Sequence, residues 1–312
     1  TMATIIITEF MDESSIASLS ARHRVVYQPD LADDRPRLLE LLTDADALIV
    51  RNRTIVDDAL LESAPRLAIV GRLGVGLDNI DLPACSERSV AVQPATGANT
   101  DAVAEYVIAA MLTLVRGAFL STGDVAAGRW PRTASTGLEV AGRTIGLVGF
   151  GAIAQRVAEL SMCLGMEVIA HDPFLDDDDP AWRLGTSRPF ADVLAEADVV
   201  SLPVPLTDGT RGLIGRPEIA AMGPTAVLIN TARGGIVDEQ AVVEALRGGS
   251  LRGAALDVFA SEPLDADQGA RFADVPNLIL TPHIAGITAE SNRRVSDMIA
   301  AAVDAALTRG VS

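Results

Sequence analysis

Short apolar runs alternate with amphipathic segments along most of the chain. Runs such as Ile5-Ile6-Ile7 are apolar at consecutive positions, which is typical of strands buried on both faces of a sheet. Between these runs lie segments with helical periodicity, of which residues 13–20 are the first. Strands that alternate with helices predict parallel sheets with crossover helices, so the pattern indicates an α/β protein.

The alternation falls into two series, and a chain of 312 residues suggests two domains at roughly 100–200 residues each. The first series predicts strands at 4–8, 24–27, 47–50 and 67–70 and helices at 13–20, 37–42 and 57–63. The second opens with a long helix that Asn99 or Thr100 can cap and that reaches Val115. After an irregular arm at 117–139 it predicts strands at 144–148, 167–170, 199–202, 226–229, 254–256 and 278–280, and helices at 152–164, 190–195, 217–221, 239–246 and 289–307.

Net charge and residue usage then remove several classes of protein. At a net charge of −17 the chain repels nucleic acid and anionic membranes, so we expect neither as a partner, and an anionic substrate would need a local cationic site. The sequence contains no lysine, which excludes enzymes that depend on a Schiff-base lysine or a P-loop lysine. No apolar run approaches the ~20 residues of a membrane span and no signal peptide is visible, so we expect a cytoplasmic protein.

Two further features are expected to carry no chemistry. Cys85 and Cys163 have no CxxC partner, which argues against structural zinc and against a disulfide framework. The acidic run at 176–179 lacks the spaced ligands and the glycine of a calcium loop, so we interpret it as a solvated loop. We therefore expect no bound metal.

The most specific local motif is Gly149-Phe150-Gly151-Ala152-Ile153-Ala154, which matches G-x-G-x-x-G/A. It follows a predicted strand and opens a predicted helix, the context that a dinucleotide-binding turn requires. Gly149 permits a tight turn, Gly151 lets a pyrophosphate approach the backbone, and the helix N-terminus attracts the phosphates. The alternative is a glycine-rich turn that binds nothing.

Asp172 ends the strand after this turn, 18 residues past Ala154. A carboxylate there accepts hydrogen bonds from the ribose hydroxyls of adenosine and repels a 2′-phosphate. Pro173-Phe174 follows with no arginine to hold such a phosphate, so we expect NAD rather than NADP. His171, beside Asp172, is expected to line the adenosine pocket.

Three other segments place reactive side chains after predicted strands, where open α/β sheets bind ligands. His283 follows the last strand and is either an acid/base residue or a structural histidine; the remaining histidine, His23, is expected at the surface. Arg233 lies in a glycine-rich turn and is either a site residue or a surface arginine. Asp257 and Glu262 follow a third strand and could equally belong to a solvated acidic loop.

Taken together and in order, these segments resemble the D-isomer-specific 2-hydroxyacid dehydrogenase family, which includes phosphoglycerate, glyoxylate and hydroxypyruvate reductases. The resemblance covers nearly the whole chain, and Ala154 is the one departure in the nucleotide turn, in place of the usual glycine. The segments that carry it, besides that turn, are Gly71-Arg72-Leu73-Gly74-Val75-Gly76-Leu77-Asp78-Asn79-Ile80-Asp81, Val103-Ala104-Glu105, Asn230-Thr231-Ala232-Arg233-Gly234, Asp257-Val258-Phe259, Glu262-Pro263 and Pro282-His283.

The resemblance implies a catalytic set of Arg233, Glu262 and His283. Arg233 would bind the substrate carboxylate and polarise the C2 carbonyl, and His283 would exchange a proton with the C2 oxygen. Glu262 would pair with His283 and favour its charged form, which agrees with the need for a cation and a proton donor where negative charge develops. Asp257 would orient the nicotinamide carboxamide. Glu262 also argues against formate dehydrogenase activity, because the formate dehydrogenases of this superfamily carry glutamine there.

The resemblance also implies the residues that contact each ligand. Those expected at NAD are Gly149, Phe150, Gly151, Ala152, Ile153, His171, Asp172, Pro173, Pro203, Thr231, Ala232, Asp257, His283 and Gly286. Those expected at the substrate are Arg51, Asn52, Leu73, Gly74, Val75, Arg233 and His283, with the backbone N–H groups around Gly74 holding a carboxylate.

The implied architecture is a Rossmann NAD domain at 99–282, inserted into a flavodoxin-like substrate domain at 1–98 plus 283–312. Both would be doubly wound parallel sheets, with the active site in the cleft. The helix from Thr100 and the arm that contains Trp130 resemble the family's dimerisation region, so we expect a homodimer. Trp130 could instead be a core residue.

The substrate is expected to be a small 2-hydroxy or 2-oxo acid. Arg51-Asn52-Arg53 ends a strand where the family contacts substrate, and residues two apart on a strand face the same way. Arg51 and Arg53 would then form a patch for a second anionic group, or else be two solvated arginines. Candidates are 3-phosphoglycerate, 3-sulfolactate or a dicarboxylic 2-hydroxy acid. The segments at 9–12 and 51–54 resemble the sulfolactate dehydrogenase branch.

Two alternatives remain open. One is a glyoxylate or hydroxypyruvate reductase, whose substrate needs no second anion. The other is an NAD-sensing corepressor-like binding protein, which the intact set of Arg233, Glu262 and His283 and the absence of long disordered flanks disfavour.

Overall fold

The computed structural model describes residues 2–309, and in it the chain forms two compact units. One unit comprises the residues up to Asn99 together with those from Ile287 onward, and the other comprises Thr100–Gly286. Each contains a parallel sheet, so the predicted α/β class with two parallel-sheet domains is confirmed.

The chain returns from the second unit to the first after Gly286, whereas the sequence predicts this boundary between 282 and 283. Backbone hydrogen bonds explain the difference. The N–H of His283 donates to the carbonyl of Asp257, and the N–H groups of Ile284 and Ala285 donate to its carboxylate. These bonds hold the segment to the second unit.

The strands and helices lie close to the predicted positions. The strands are β1 (Thr4–Ile7), β2 (Arg24–Tyr27), β3 (Ala47–Val50), β4 (Ile69–Arg72), β5 (Ala91–Pro94), β6 (Thr144–Val148), β7 (Glu167–His171), β8 (Thr186–Ser187), β9 (Val199–Ser201), β10 (Val227–Asn230), β11 (Gly253–Leu256) and β12 (Leu278–Leu280). The helices are α1 (Glu13–Ser20), α2 (Arg35–Leu42), α3 (Asp58–Glu62), α4 (Leu82–Glu87), α5 (Thr100–Arg116), α6 (Thr122–Ala126), α7 (Ala152–Cys163), α8 (Phe190–Glu196), α9 (Arg216–Met222), α10 (Glu239–Gly248), α11 (Ala266–Gly269) and α12 (Ala289–Arg309). Short 3₁₀ turns lie at Leu31–Asp33, Ala118–Ser121, Pro180–Leu184 and Ala270–Phe272.

The first unit is built on a five-stranded parallel sheet in the order β2-β1-β3-β4-β5. Helices cover both faces, which is why the central strands are largely apolar and β3 is apolar and buried at every position. Leu38, Leu60 and Val70 lie in the core on one face, and Ile5 and Ile299 lie in the core on the other. Helix α12, which contains Ile299, packs on this second face of the sheet.

Two elements of this unit were not predicted. The edge strand β5 has alternating exposed and half-buried residues and ends in Pro94, so it lacks the apolar run that marks the other strands. Helix α4 spans only six residues, begins at Leu82-Pro83 and is capped by Asp81, whose side chain accepts the N–H of Ala84. Both are too short or too polar for periodicity to detect.

The second unit is built on a seven-stranded parallel sheet in the order β12-β11-β10-β9-β6-β7-β8. The chain runs outward in one direction from β6 through β7 to β8, then in the other from β9 to β12, so the sheet is doubly wound about β6. Ligands of such sheets bind beyond the carboxyl ends of the strands, next to the point where the strand order reverses. Because all the strands are parallel, the segments after β6, β10, β11 and β12 lie along one edge of the sheet.

The arm at 117–139 is more regular than predicted, since it contains a 3₁₀ turn and α6. The side chain of Trp130 within it is 79% exposed, so the alternative of a core tryptophan is wrong.

Candidate active site

The turn after β6 has the geometry of a phosphate cradle. Gly149 has a φ of +90°, and a Cβ there would lie 2.8 Å from the carbonyl oxygen of Pro203, so the position requires glycine. A Cβ on Gly151 would meet nothing within 4 Å, so open space lies above the residue that caps α7. The open backbone at the N-terminus of this 12-residue helix fits a dinucleotide pyrophosphate.

Asp172 connects this turn to the end of β7. Its carboxylate accepts the N–H of Phe150 at 2.8 Å and the N–H of Phe174 at 3.0 Å. The side chain of Phe150 is fully buried and stacks on Trp182 at a centroid distance of 5.0 Å. Phe150 was predicted at NAD, and with its ring in the core only its backbone can face a ligand.

The other residues predicted at the adenosine end surround the same turn. His171 is half-buried, with Nδ1 placed 3.2 Å from the carbonyl oxygen of Arg188, and Pro173 is exposed. Pro203 places its carbonyl against Gly149, and Ile153 lies in the first turn of α7.

The turn after β10 presents Arg233. The side chain of Asn230 accepts the N–H of Ala232 at 3.1 Å and donates to the carbonyl of Arg233 at 3.0 Å, which fixes the turn from Thr231 onward. Gly234 lies so close to the next loop that a Cβ would fall 1.7 Å from the carbonyl oxygen of Phe259. The backbone after Arg233 is therefore in contact with the loop that carries Glu262.

Asp257 lies at the end of β11 and is 1% exposed. Its carboxylate accepts the hydroxyl of Thr281 at 2.5 Å and the N–H groups of Ile284 and Ala285 at 2.9 and 2.8 Å. These bonds surround His283, whose φ of +55° is unusual for a residue with a side chain. Sequence reasoning expected Asp257 at the nicotinamide carboxamide, and in the structure its bonds hold the turn of His283.

Glu262 and His283 form a hydrogen-bonded pair. Oε2 of Glu262 lies 2.7 Å from Nδ1 of His283, and Oε1 accepts the N–H of Phe259 at 2.8 Å. Burial raises the pKa of Glu262, but the hydrogen bonds from His283 and Phe259 and the charges of His283 and Arg233 outweigh burial and lower it below its usual value. An ionised carboxylate only accepts, so Nδ1 carries the proton in this pair and Nε2 is the ring atom left to exchange one.

In the first unit, Glu9 organises the segment after β3. Glu9 is 4% exposed, and its carboxylate accepts four backbone N–H groups at 2.8 to 3.2 Å, those of Arg51, Asn52, Arg53 and Thr54. No role was predicted for this side chain. The signal was present in the sequence, as an acidic residue at the end of the apolar run of β1.

This arrangement corrects the expected patch of Arg51 and Arg53. Strand β3 ends at Val50, so the two arginines lie on a bend rather than on a strand with a common face. Arg53 forms an ion pair with Asp33, whereas Arg51 donates to the side chain of Asn292 at 2.7 Å. The guanidinium of Arg51 also lies 5.9 Å from the ring centroid of Phe10. Arg51 and Arg53 therefore bind different partners and do not form the expected common patch.

Fewer backbone N–H groups after β4 are available to a substrate than expected. The N–H of Leu73 donates to the carbonyl of Val50, and the N–H of Gly74 donates to the carbonyl of Arg72, both at 2.8 Å. Val75 has an exposed side chain, and its N–H donates to no group in the described part of the chain. A contact of this backbone with a substrate carboxylate stays a prediction.

Across residues 2–309 no group of three or more His, Cys, Asp or Glu side chains is placed to hold a metal ion. Within the same residues no single helix is long and apolar enough to cross a membrane. The bent pair formed by Thr100–Arg116 and Ala118–Ala126 meets the requirement only when both are counted together.

Comparisons with known proteins agree on one family. The family described as D-isomer specific 2-hydroxyacid dehydrogenase, NAD binding domain, matches residues 108–285. The chain is 54% identical over 296 residues to an (S)-sulfolactate dehydrogenase of Chromohalobacter salexigens, covering 95% of each chain. It is 37% identical over 307 residues to a D-3-phosphoglycerate dehydrogenase of Mycobacterium leprae, covering 98% of this chain and 57% of that protein. A crystal structure of a Thermus thermophilus protein superposes with a TM-score of 0.90 at 32% identity, covering 98% of this chain and 97% of the other.

Proposed function

The chain belongs to the D-isomer-specific 2-hydroxyacid dehydrogenase family, and from this we propose that it interconverts a 2-hydroxy acid of the 3-sulfolactate type with its 2-oxo acid, using NAD. The observation that supports the reaction class is the hydrogen-bonded pair of Glu262 and His283. The charge of Arg233 also lowers the pKa of Glu262. The identity of 54% to an (S)-sulfolactate dehydrogenase supports a substrate with a second anionic group.

In this proposal NAD, when bound, supplies the hydride chemistry. The residues of the chain bind the acid and manage its charge. Arg233 binds the substrate carboxylate and stabilises the negative charge that develops on the C2 oxygen during reduction. His283 donates the proton of Nε2 to that oxygen and recovers it in the reverse direction, while Glu262 holds Nδ1. Asp257 acts through its bonds to the turn of His283.

We expect Glu262→Gln to move the pH dependence of both directions toward lower pH. Nδ1 of His283 lies 2.7 Å from Oε2 of Glu262, and a negative charge this close stabilises a positive charge on the imidazole. Reduction requires the protonated imidazole, so its rate should be lost at a lower pH in the variant. Oxidation requires the neutral imidazole and should rise at a correspondingly lower pH.

The measurement is kcat/KM against pH for wild type and variant, from pH 5 to 10 in both directions. Glu244→Gln is the matched control, because Glu244 is an exposed carboxylate that pairs with Arg216 on the surface of α10. A Glu262→Gln profile that coincides with the wild-type profile would remove Glu262 from the proposed mechanism.

Arg51 is proposed as the residue that binds the second anionic group. It is half-buried, and burial lowers its pKa while the nearby charge of Glu9 raises it. A guanidinium removed from water and fixed by Asn292 is well suited to a sulfonate or phosphate. The contacts of Asn52, Leu73, Gly74 and Val75 with substrate remain predictions.

A panel of 2-oxo acids assayed by NADH oxidation tests this function. We expect Arg51→Ala to lower kcat/KM for 3-sulfopyruvate by about 10–100-fold and to change that for glyoxylate by less than about threefold, since hydrogen bonds to charged groups are worth ~1.5–3 kcal/mol. Arg53→Ala is the control, because Arg53 is exposed and paired with Asp33. Equal losses on the two substrates would favour a glyoxylate or hydroxypyruvate reductase, and no turnover of any 2-oxo acid would favour an NAD-sensing binding protein.

The assembly is proposed to be a cytoplasmic homodimer formed through α5 and the arm. Large exposed apolar side chains occur close together in sequence there, which is typical of an interaction surface. They are Phe119, Leu120, Val125 and Trp130. With a net charge of −17, neither nucleic acid nor an anionic membrane is proposed as a partner.

A further inference from the structure

A buried ion pair lies next to the loop that carries Glu262. Glu239, the first residue of α10, is 6% exposed, and its carboxylate accepts the N–H of Ala260 at 2.7 Å through Oε1. Its other oxygen, Oε2, pairs with the guanidinium of Arg271. Few glutamates are buried this deeply without a partner, and here both oxygens are engaged.

The pair joins three separate segments of the second unit. Arg271 lies in the 3₁₀ turn Ala270–Phe272, and its guanidinium lies 4.8 Å from the ring centroid of Phe272. Phe272 in turn packs edge-on against Phe259 at a centroid distance of 5.9 Å. Glu239 therefore fixes the backbone at Ala260 directly, and through Arg271 it fixes the aromatic contact with Phe259.

This anchoring reaches the reacting groups through two short links. Phe259 donates its N–H to Glu262, so the residue beside Ala260 sets the orientation of the Glu262 carboxylate. Glu239 also follows the turn of Arg233 by six positions, and that turn contacts Phe259 through Gly234. A shift of the loop at 259–262 would move Glu262 relative to both His283 and Arg233.

We propose that Glu239 is a positioning residue for the reaction, which holds the loop at 259–262 so that Glu262 can orient His283. The role rests on the proposed function, since it acts only through the pair of Glu262 and His283. One oxygen of the side chain must reach the N–H of Ala260, and Arg271 holds the other oxygen in place. Two substitutions separate these contributions.

Glu239→Ala removes both bonds, and Glu239→Gln keeps an oxygen that can accept from Ala260. We expect kcat for reduction to fall about 10–100-fold in Glu239→Ala, with the KM for NADH changed less than about threefold, because small displacements of a catalytic group cost that much. The limb of the pH profile at which reduction is lost should move to lower pH, as in Glu262→Gln. Glu239→Gln should recover kcat to within about threefold of wild type and restore the profile.

Glu244→Gln, on the exposed side of the same helix, is the control for substitution in α10. The double variant Glu239→Ala/Glu262→Gln should be no more than about threefold slower than Glu262→Gln alone, because residues that act in series are not additive. The positioning role would be overturned if the rate losses of the two single variants multiplied in the double variant. It would also be overturned if the pH profile of Glu239→Ala were identical to wild type, even if its melting temperature fell. A wild-type protein that reduces no 2-oxo acid would instead overturn the proposed function, and this role with it.

Discussion

His283→Asn is expected to lower kcat/KM for reduction of the 2-oxo acid by about 10²–10⁴-fold, the usual contribution of a positioned acid or base. The imidazole is the group of the set proposed to exchange the proton, and its Nδ1 is already bonded to Glu262, which leaves Nε2 for the substrate. Asparagine keeps a polar side chain but cannot exchange a proton with the C2 oxygen.

Asparagine is also the replacement that leaves the backbone least disturbed. His283 has a φ of +55°, and asparagine tolerates this left-handed region better than alanine does. The bonds of Asp257 to the N–H groups of Ile284 and Ala285 are independent of the side chain at 283. The turn should therefore persist, and a loss of rate should report on chemistry.

Steady-state NADH oxidation measures the rate, and quenching of nicotinamide fluorescence measures whether NADH still binds. We expect the dissociation constant for NADH to stay within about threefold of wild type, because the proposed phosphate contacts lie at Gly149 to Ile153. His283→Ala, made in parallel, should be at least as slow and less stable. A kcat/KM for His283→Asn within about tenfold of wild type would show that the proton comes from elsewhere.

The parts of the fold that the sequence predicts well are those set by local pattern. The apolar run of Ile5-Ile6-Ile7 and the turn from Gly149 to Ala154 both lie where expected, because each is specified by neighbouring residues. The order of the family's motifs was equally informative, since it identified the family that the comparisons then found. Edge strand β5 was missed because half of its residues face solvent.

The parts that could not be predicted are bonds between distant carboxylates and backbone. Glu9 binds N–H groups more than 40 positions away, and Glu239 binds one that is 21 positions away. The position of Glu9 after the apolar run of β1 was a signal that this side chain is unusual, but sequence spacing does not show which N–H groups such a carboxylate binds. The bonds that the carboxylate of Asp257 accepts from residues 24 to 28 positions later were missed for the same reason, and its contact with the nicotinamide stays a prediction.

The turn of Arg233 shows how a local motif and a distant contact combine. The side chain of Asn230 bonds to the backbone of Ala232 and Arg233 and so fixes the turn, a local arrangement that the sequence already suggests. The contact of Gly234 with Phe259 is tertiary, and it brings the charge of Arg233 to act on Glu262. Arg233 therefore has two partners in the proposed mechanism, the substrate and the carboxylate that orients His283.

Arg233→Gln is accordingly expected to lower kcat/KM by about 10³-fold, since the loss of one donor to a developing oxyanion alone costs about 10²–10³-fold. Arg233→Lys should recover no more than about tenfold of this, because an ammonium keeps the charge but not the planar pair of donors that matches a carboxylate. The pKa of Glu262, raised by burial and lowered by its hydrogen bonds and by the charges of His283 and Arg233, should rise in Arg233→Gln. The acidic limb of the rate profile should then move to higher pH, and in Arg233→Lys it should stay near its wild-type position.

Arg216→Gln, which removes an exposed arginine paired with Glu244, serves as the control. If Arg233→Lys were as active as wild type, the arginine would act as a simple charge, and the proposed two-point binding of the substrate carboxylate would be wrong.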